Sequence, residues 1–145
     1  MMLEEGASSS NKGKIEEQKP SPKNMLLSAL VVDDDPIIRK IHSVILKSLG
    51  FKVELAENGK EAVDLFCSGA NFHIIFIDME MPVMNGIEAT KELRAMGVES
   101  KIVGVTSRNL EAEKEAFMLA GADACYTKPL TFDRIISLME DLKKN

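Results

Sequence analysis

Cysteine is scarce in this chain: Cys67 and Cys125 are the only two among 145 residues. That is too few for a disulfide framework, and neither lies at a metal-type spacing, so both are expected as reduced thiols of an intracellular protein. Long apolar runs are missing as well. No stretch reaches the ~18 residues a membrane span requires, and the acidic start at Glu4 and Glu5 lacks the basic-then-apolar order of a signal peptide. A basic excess is absent: 18 Lys and Arg stand against 23 Asp and Glu, a net charge of −5. Such a chain matches the phosphate backbone of nucleic acid poorly, so no nucleic-acid partner is expected. Neither G-x-x-x-x-G-K-[ST] nor G-x-G-x-x-G occurs, which removes the common nucleotide-binding loops. No internal repeat is found.

What is present is a globular balance of 45% apolar and 28% charged residues, enough to bury a sizeable core in about one domain. Met1 to Asn24 is rich in Ser, Lys, Glu and Pro without apolar periodicity, and is expected to be a disordered tail. Its acids and bases cancel, which leaves the net charge on residues 25–145, the expected folded domain. There, short apolar runs alternate with amphipathic stretches. Leu26 to Val32, Phe51 to Ala56, Phe72 to Ile77, Lys101 to Val105 and Ala122 to Thr127 read as strands. Helix starts are marked by Asp35 before Pro36, Asn58 with Glu61, Asn85 with Glu88, Asn109 and Thr131. The first helix is expected to turn Ile38, Ile41, Ile45 and Leu49 inward, and the last Phe132, Ile135 or Ile136, Met139 and Leu142. Gly50, Gly69, Gly97 and Gly121 fall at helix ends, where a left-handed residue is cheapest. Unbroken runs such as Ile74-Ile75-Phe76-Ile77 suit parallel strands covered on both faces, so a doubly wound, five-stranded parallel (βα)5 α/β fold is predicted.

In open parallel sheets, ligands bind beyond the carboxyl ends of the strands. The conspicuous polar residues lie there: Asp33, Asp34 and Asp35 after the first strand, Asp78 after the third, Thr106 after the fourth and Lys128 after the fifth. Asp33, Asp34 and Asp78 would be like charges a few ångströms apart, which stay ionised together only when a cation joins them. Oxygen donors of this kind suit Mg²⁺ better than Zn²⁺. Asp35, directly before a proline at a first helical turn, reads instead as an N-cap. Lys128 offers a compact positive charge and Thr106 a hydroxyl, both suited to a phosphoryl group. A carboxylate can itself accept that group as an aspartyl phosphate, and Asp78 is the expected nucleophile because it stands singly on the most apolar strand. His42 and His73 have no partner at ligand spacing and are read as structural. The methionines are read as core filling, with Met79 and Met81 shaping the pocket rim.

Taken together, Val31-Val32-Asp33-Asp34, Ile77 to Gly86 with its Met81-Pro82-Val83-Met84-Asn85-Gly86 run, Thr106-Ser107 and Lys128-Pro129 resemble the receiver domain of two-component response regulators, from about Leu27 to the C-terminus. The resemblance implies a flavodoxin-like fold and a phosphoacceptor at Asp78. It implies Mg²⁺ held by Asp33, Asp34, Asp78 and the backbone carbonyl of Glu80, and Lys128 and Thr106 directed to the phosphoryl group. It also implies a cis bond at Lys128-Pro129. Within the family, the chain is most similar to short stand-alone plant regulators of cytokinin-type phosphorelays. That implies a monomer without an output domain, in the cytoplasm and with the nucleus as a further compartment, whose partner is a histidine-phosphotransfer protein. One departure stands out. Three residues before Lys128, where many members carry an aromatic that moves with Thr106, this chain has Cys125. Two activities follow from one chemistry: a phosphorylation switch, or a phosphatase-like sink that drains the phosphotransfer protein. A pure interaction module would not need these five polar residues. Haloacid-dehalogenase-type phosphatases want a second Asp two residues after the nucleophile, where Glu80 stands.

Overall fold

The computed structural model describes residues 26–144, so the expected tail, Met1 to Asn24, lies outside the described residues. Strands and helices alternate in chain order: β1 (Ser28–Val32), α1 (Pro36–Ser48), β2 (Lys52–Ala56), α2 (Gly59–Cys67), β3 (Ile74–Asp78), α3 (Gly86–Ala95), β4 (Lys101–Thr106), α4 (Glu111–Ala120), β5 (Ala124–Thr127) and α5 (Phe132–Lys144). The strands form one parallel sheet in the order β2-β1-β3-β4-β5. This is the doubly wound (βα)5 arrangement expected from the alternation of apolar runs.

Period-two alternation along the strands divides the interior into two layers. Ala29 and Val31 of β1, Ile74 and Phe76 of β3, and Val103 and Val105 of β4 face Leu46 of α1 and Ile135 and Leu138 of α5. Leu30, Val32, Ile75, Ile77 and Ile102 face Ala62 of α2, Leu93 of α3 and Phe117 of α4. β1, β3 and β5 begin two residues later than the apolar runs and β2 one residue later, because Leu27, Phe51, Phe72 and Ala122 are buried without belonging to the strands themselves, while β4 begins at Lys101 as expected. Hydrophobicity reports burial, whereas strand pairing requires backbone register.

Several helix readings need correction. On α1 the buried residues are His42, Ser43 and Leu46, with Ile45 and Leu49 packed beside them; Ile41 is exposed rather than inward. Phe132 of α5 is also exposed, and Leu138 is buried beside Ile135. A helix stripe chosen by counting apolar residues can sit one position off when a polar residue, here His42, finds a buried partner. The first residue outside α4 is Leu110 and no side chain caps it; Asn109 instead accepts from Lys114 Nζ at 2.7 Å. The other starts hold. Asp35 accepts from the Ile37 N–H at 2.9 Å, Asn58 from Glu61, and Thr131 from Arg134 at 3.1 Å, while Asn85 and Glu88 form a reciprocal capping box. Gly50, Gly69, Gly97 and Gly121 all adopt positive φ, as expected.

The loop from β3 to α3 returns tightly on Asp78. A Cβ on Gly86 would stand 2.1 Å from the Asp78 carbonyl oxygen, so only glycine fits where α3 starts against the end of β3. Midway along this loop, Val83 has φ 72°, and the Met84 N–H donates to the Pro82 carbonyl at 2.7 Å, a strained γ-turn for a β-branched residue.

Candidate functional site at the carboxyl edge of the sheet

β1, β3, β4 and β5 run parallel, so the residues that end or directly follow them share one edge. Asp33 and Asp78 are almost fully buried there, at 2% and 4% exposure, while Asp34 is exposed. One carboxylate oxygen from each of the three lies within 4.8 Å of the others. The Lys128 ammonium reaches this group from β5, 3.1 Å from Asp33 Oδ2 and 3.1 Å from Asp78 Oδ1. The bond from Lys128 to Pro129 is cis. Asp33 is fixed further: its Oδ1 accepts from the Asp35 N–H at 2.9 Å, and its carbonyl accepts from Arg39 Nη1 at 2.7 Å. An open pocket of about 650 Å³ lies above these groups, lined by Asp34, Asp78, Glu80, Met81, Ser107 and Lys128 among others. Met81 therefore lies on the rim as expected, whereas Met79 does not line the pocket and packs on the core.

The electrostatics follow from this crowding. Burial, and then the neighbouring Asp33 carboxylate, push the Asp78 carboxyl up to about 6, with Lys128 pulling against them. Burial alone would lower Lys128, but the Asp78 and Asp33 carboxylates overcome it and its pKa is raised. One ammonium thus faces three acids, and the site keeps an unbalanced negative charge. All the donors are oxygens, the set that suits a hard divalent cation.

His42 is buried behind the site, where its Nε2 accepts from the Leu130 N–H at 3.0 Å. Burial lowers its pKa, which keeps the ring neutral and this bond intact. His73 Nδ1 accepts from the Ser28 N–H at 3.0 Å. Both histidines are structural, as read from the sequence.

Thr106 departs from the expected picture. It is 2% exposed and ends β4, but its hydroxyl donates to Glu113 Oε1 of α4 at 2.8 Å. Arg108 donates through Nη2 to the other Glu113 oxygen and, at 3.0 Å, to Glu80 Oε2 across the pocket mouth. Cys125 lies near Glu113: burial, and Glu113 more weakly, raise its thiol pKa against Lys114. Sequence reading missed Arg39, Arg108 and Glu113. Nothing in the sequence distinguishes Glu113 from its neighbours Glu111 and Glu115, because only the docking of α4 brings it to Thr106.

A doubly wound parallel sheet whose carboxyl edge carries clustered acids and a lysine defines a receiver-like class of protein. The chain belongs to the response regulator receiver domain family, whose match covers residues 29–140. It is 49% identical over 128 residues to an Arabidopsis thaliana protein, two-component response regulator 24, covering 88% of this chain and 92% of that one. Among solved structures, it is similar to the receiver domain of Ssk1 from Saccharomyces cerevisiae, crystallised with the histidine phosphotransfer signaling protein Ypd1. That likeness has a TM-score of 0.75 and 27% identity, over 82% of this chain and 90% of that one. A receiver domain of the Pseudomonas aeruginosa sensor histidine kinase PA1611, with a magnesium ion coordinated in its active site cleft, matches with a TM-score of 0.73. Its identity is 26%, over 83% of this chain and all of that one. Among the described residues, no helix is long and apolar enough to cross a membrane.

Proposed function

We propose that this chain accepts a phosphoryl group on Asp78 from a phosphohistidine of a histidine-phosphotransfer protein. The observation that carries this reading is the single point at which Asp78, Asp33, Asp34 and Lys128 meet at the sheet edge. An Asp78 carboxylate oxygen attacks phosphorus in line with the leaving nitrogen. As the O–P bond forms, the N–P bond breaks, and the imidazole departs as the neutral ring when its other nitrogen carries a proton. Asp33, Asp34, Asp78 and the Glu80 carbonyl would hold Mg²⁺, which neutralises charge growing on the transferring oxygens. Lys128, already 3.1 Å from Asp78, supplies a second cation to the acyl phosphate.

A protein donor is supported by the surface beside the pocket. Ile37, 69% exposed, and Val44, 57% exposed, stand with Ile41 on the outward face of α1, directly after Asp35 at the pocket. This apolar stripe next to a charged cleft suits a protein partner, and the Ssk1 receiver, crystallised with a histidine phosphotransfer signaling protein, has the same fold.

Incubation with a phosphorylated histidine-phosphotransfer protein and Mg²⁺ tests the reading. Label appears on this chain, is acid- and base-labile as an acyl phosphate is, and is lost in Asp78→Asn; label retained in that variant would remove the assignment. The same time course separates two activities. Persistent label marks a switch, and rapid loss from both proteins marks a sink for the phosphotransfer protein.

A further inference from the structure

The Thr106 hydroxyl, which the sequence directs to a phosphoryl group, is already committed elsewhere. It has one proton, and its two acceptors are Glu113 Oε1 at 2.8 Å and the Arg108 carbonyl at 3.1 Å. The nearer one is a carboxylate, so the Thr106 hydroxyl points its proton at Glu113 Oε1. Glu113 is held in turn, because Arg108 Nη2 takes its second oxygen and also binds Glu80. Thr106 and Cys125 both face α4: β4 alternates with Ile102 in the α4-side core, and Cys125 packs on that same core. Cys125 stands opposite Gly104, two residues before Thr106, so the α4 side of this edge carries a small thiol and the Glu113 carboxylate that takes the Thr106 hydroxyl.

We propose that Glu113 is a positioning residue that competes with the phosphorylated Asp78 for the Thr106 hydroxyl, and so sets how readily the domain responds. The proposal deepens the phosphoacceptor reading and rests on it. Two arrangements exchange. In the resting one, Thr106 donates to Glu113. In the responding one, it donates to a phosphoryl oxygen, and Glu113 keeps Arg108 as its partner. Because Glu113 is never left without a counter-charge, the exchange costs one hydrogen bond and no unpaired buried charge. Arg108 also ties this latch to Glu80, so movement of Thr106 is felt at the β3–α3 loop that lines the pocket.

Beryllofluoride with Mg²⁺, a stable mimic of an aspartyl phosphate, provides the test. Glu113→Ala binds it about tenfold more tightly than the wild type, the scale of one charge-assisted hydrogen bond. In a Thr106→Val background, the same substitution changes affinity by less than about twofold, since no hydroxyl remains to release. Equal tightening in both backgrounds would show that only charge is involved and would overturn the proposal, as would no tightening at all. A urea double-mutant cycle on the ligand-free protein is expected to show about tenfold coupling between Thr106 and Glu113 in the unfolding constant. Coupling under about twofold overturns the latch whatever the ligand does. Failure of the wild type to take up beryllofluoride, with the coupling intact, would instead overturn the phosphoacceptor reading.

Discussion

At the scale of the residue, Asp78 is the group under greatest stress. Its ordinary value of 3.8 is pushed up to about 6, so the folded chain holds this proton more tightly than the unfolded chain does. The sign follows: the contribution of Asp78 to stability is greatest below its ordinary value and is lost as pH rises through about 6. Without metal, Asp78→Asn is therefore expected to be more stable than the wild type by about 2 kcal/mol at pH 7. Chemical denaturation in EDTA across the acid range checks this, since the margin should close toward pH 4. A constant margin would mean that packing, and not the carboxylate, separates the two proteins. The position of Asp78 was legible in the sequence, because the four apolar residues before it form a buried central strand that ends at this carboxylate. The partner of Thr106 was not legible, because a contact seven residues ahead on another element leaves no spacing signal.

At the scale of the element, the β3–α3 loop carries the clearest local conflicts. Val83 is 76% exposed and buries little, yet its backbone sits at φ 72°. Val83→Gly is expected to raise stability by about 1 kcal/mol, because relief of the γ-turn strain outweighs the added chain entropy. Equilibrium denaturation measures it, and a loss of stability would show that the side chain holds the loop. The opposite holds one turn later. Gly86→Ala should cost about 3 kcal/mol, since its Cβ would overlap the Asp78 carbonyl and push α3 from the end of β3. Unchanged thermal unfolding of that variant would contradict the close approach. Helix starts were legible wherever a side chain caps the backbone locally, as at Asp35, Asn58 and Asn85. The start of α4 was misread at Asn109 because no cap side chain exists there; the helix begins where its inner face meets β4 and β5.

At the scale of the whole molecule, the site is a liability until a cation arrives. Three acids against one ammonium at the end of a sheet oppose folding, and a ligand bound only by the folded state stabilises it. Millimolar Mg²⁺ should therefore raise the unfolding temperature of the wild type by several degrees, roughly the effect of 1–2 kcal/mol. In Asp34→Ala, where an exposed carboxylate of the cluster is lost with little packing, most of that rise should disappear; a full rise would place the ion elsewhere. The amino-acid sequence by itself determined the alternation of elements, the two-sided core and the positions of the acids and the lysine. These follow from periodicity and local capping, which act over a few residues. The tertiary structure alone decided that α1 turns His42 inward and Ile41 outward, and that Glu113 takes the Thr106 hydroxyl. Each depends on which distant groups the packed sheet and helices bring within hydrogen-bond distance, and that geometry is a property of the assembled layers.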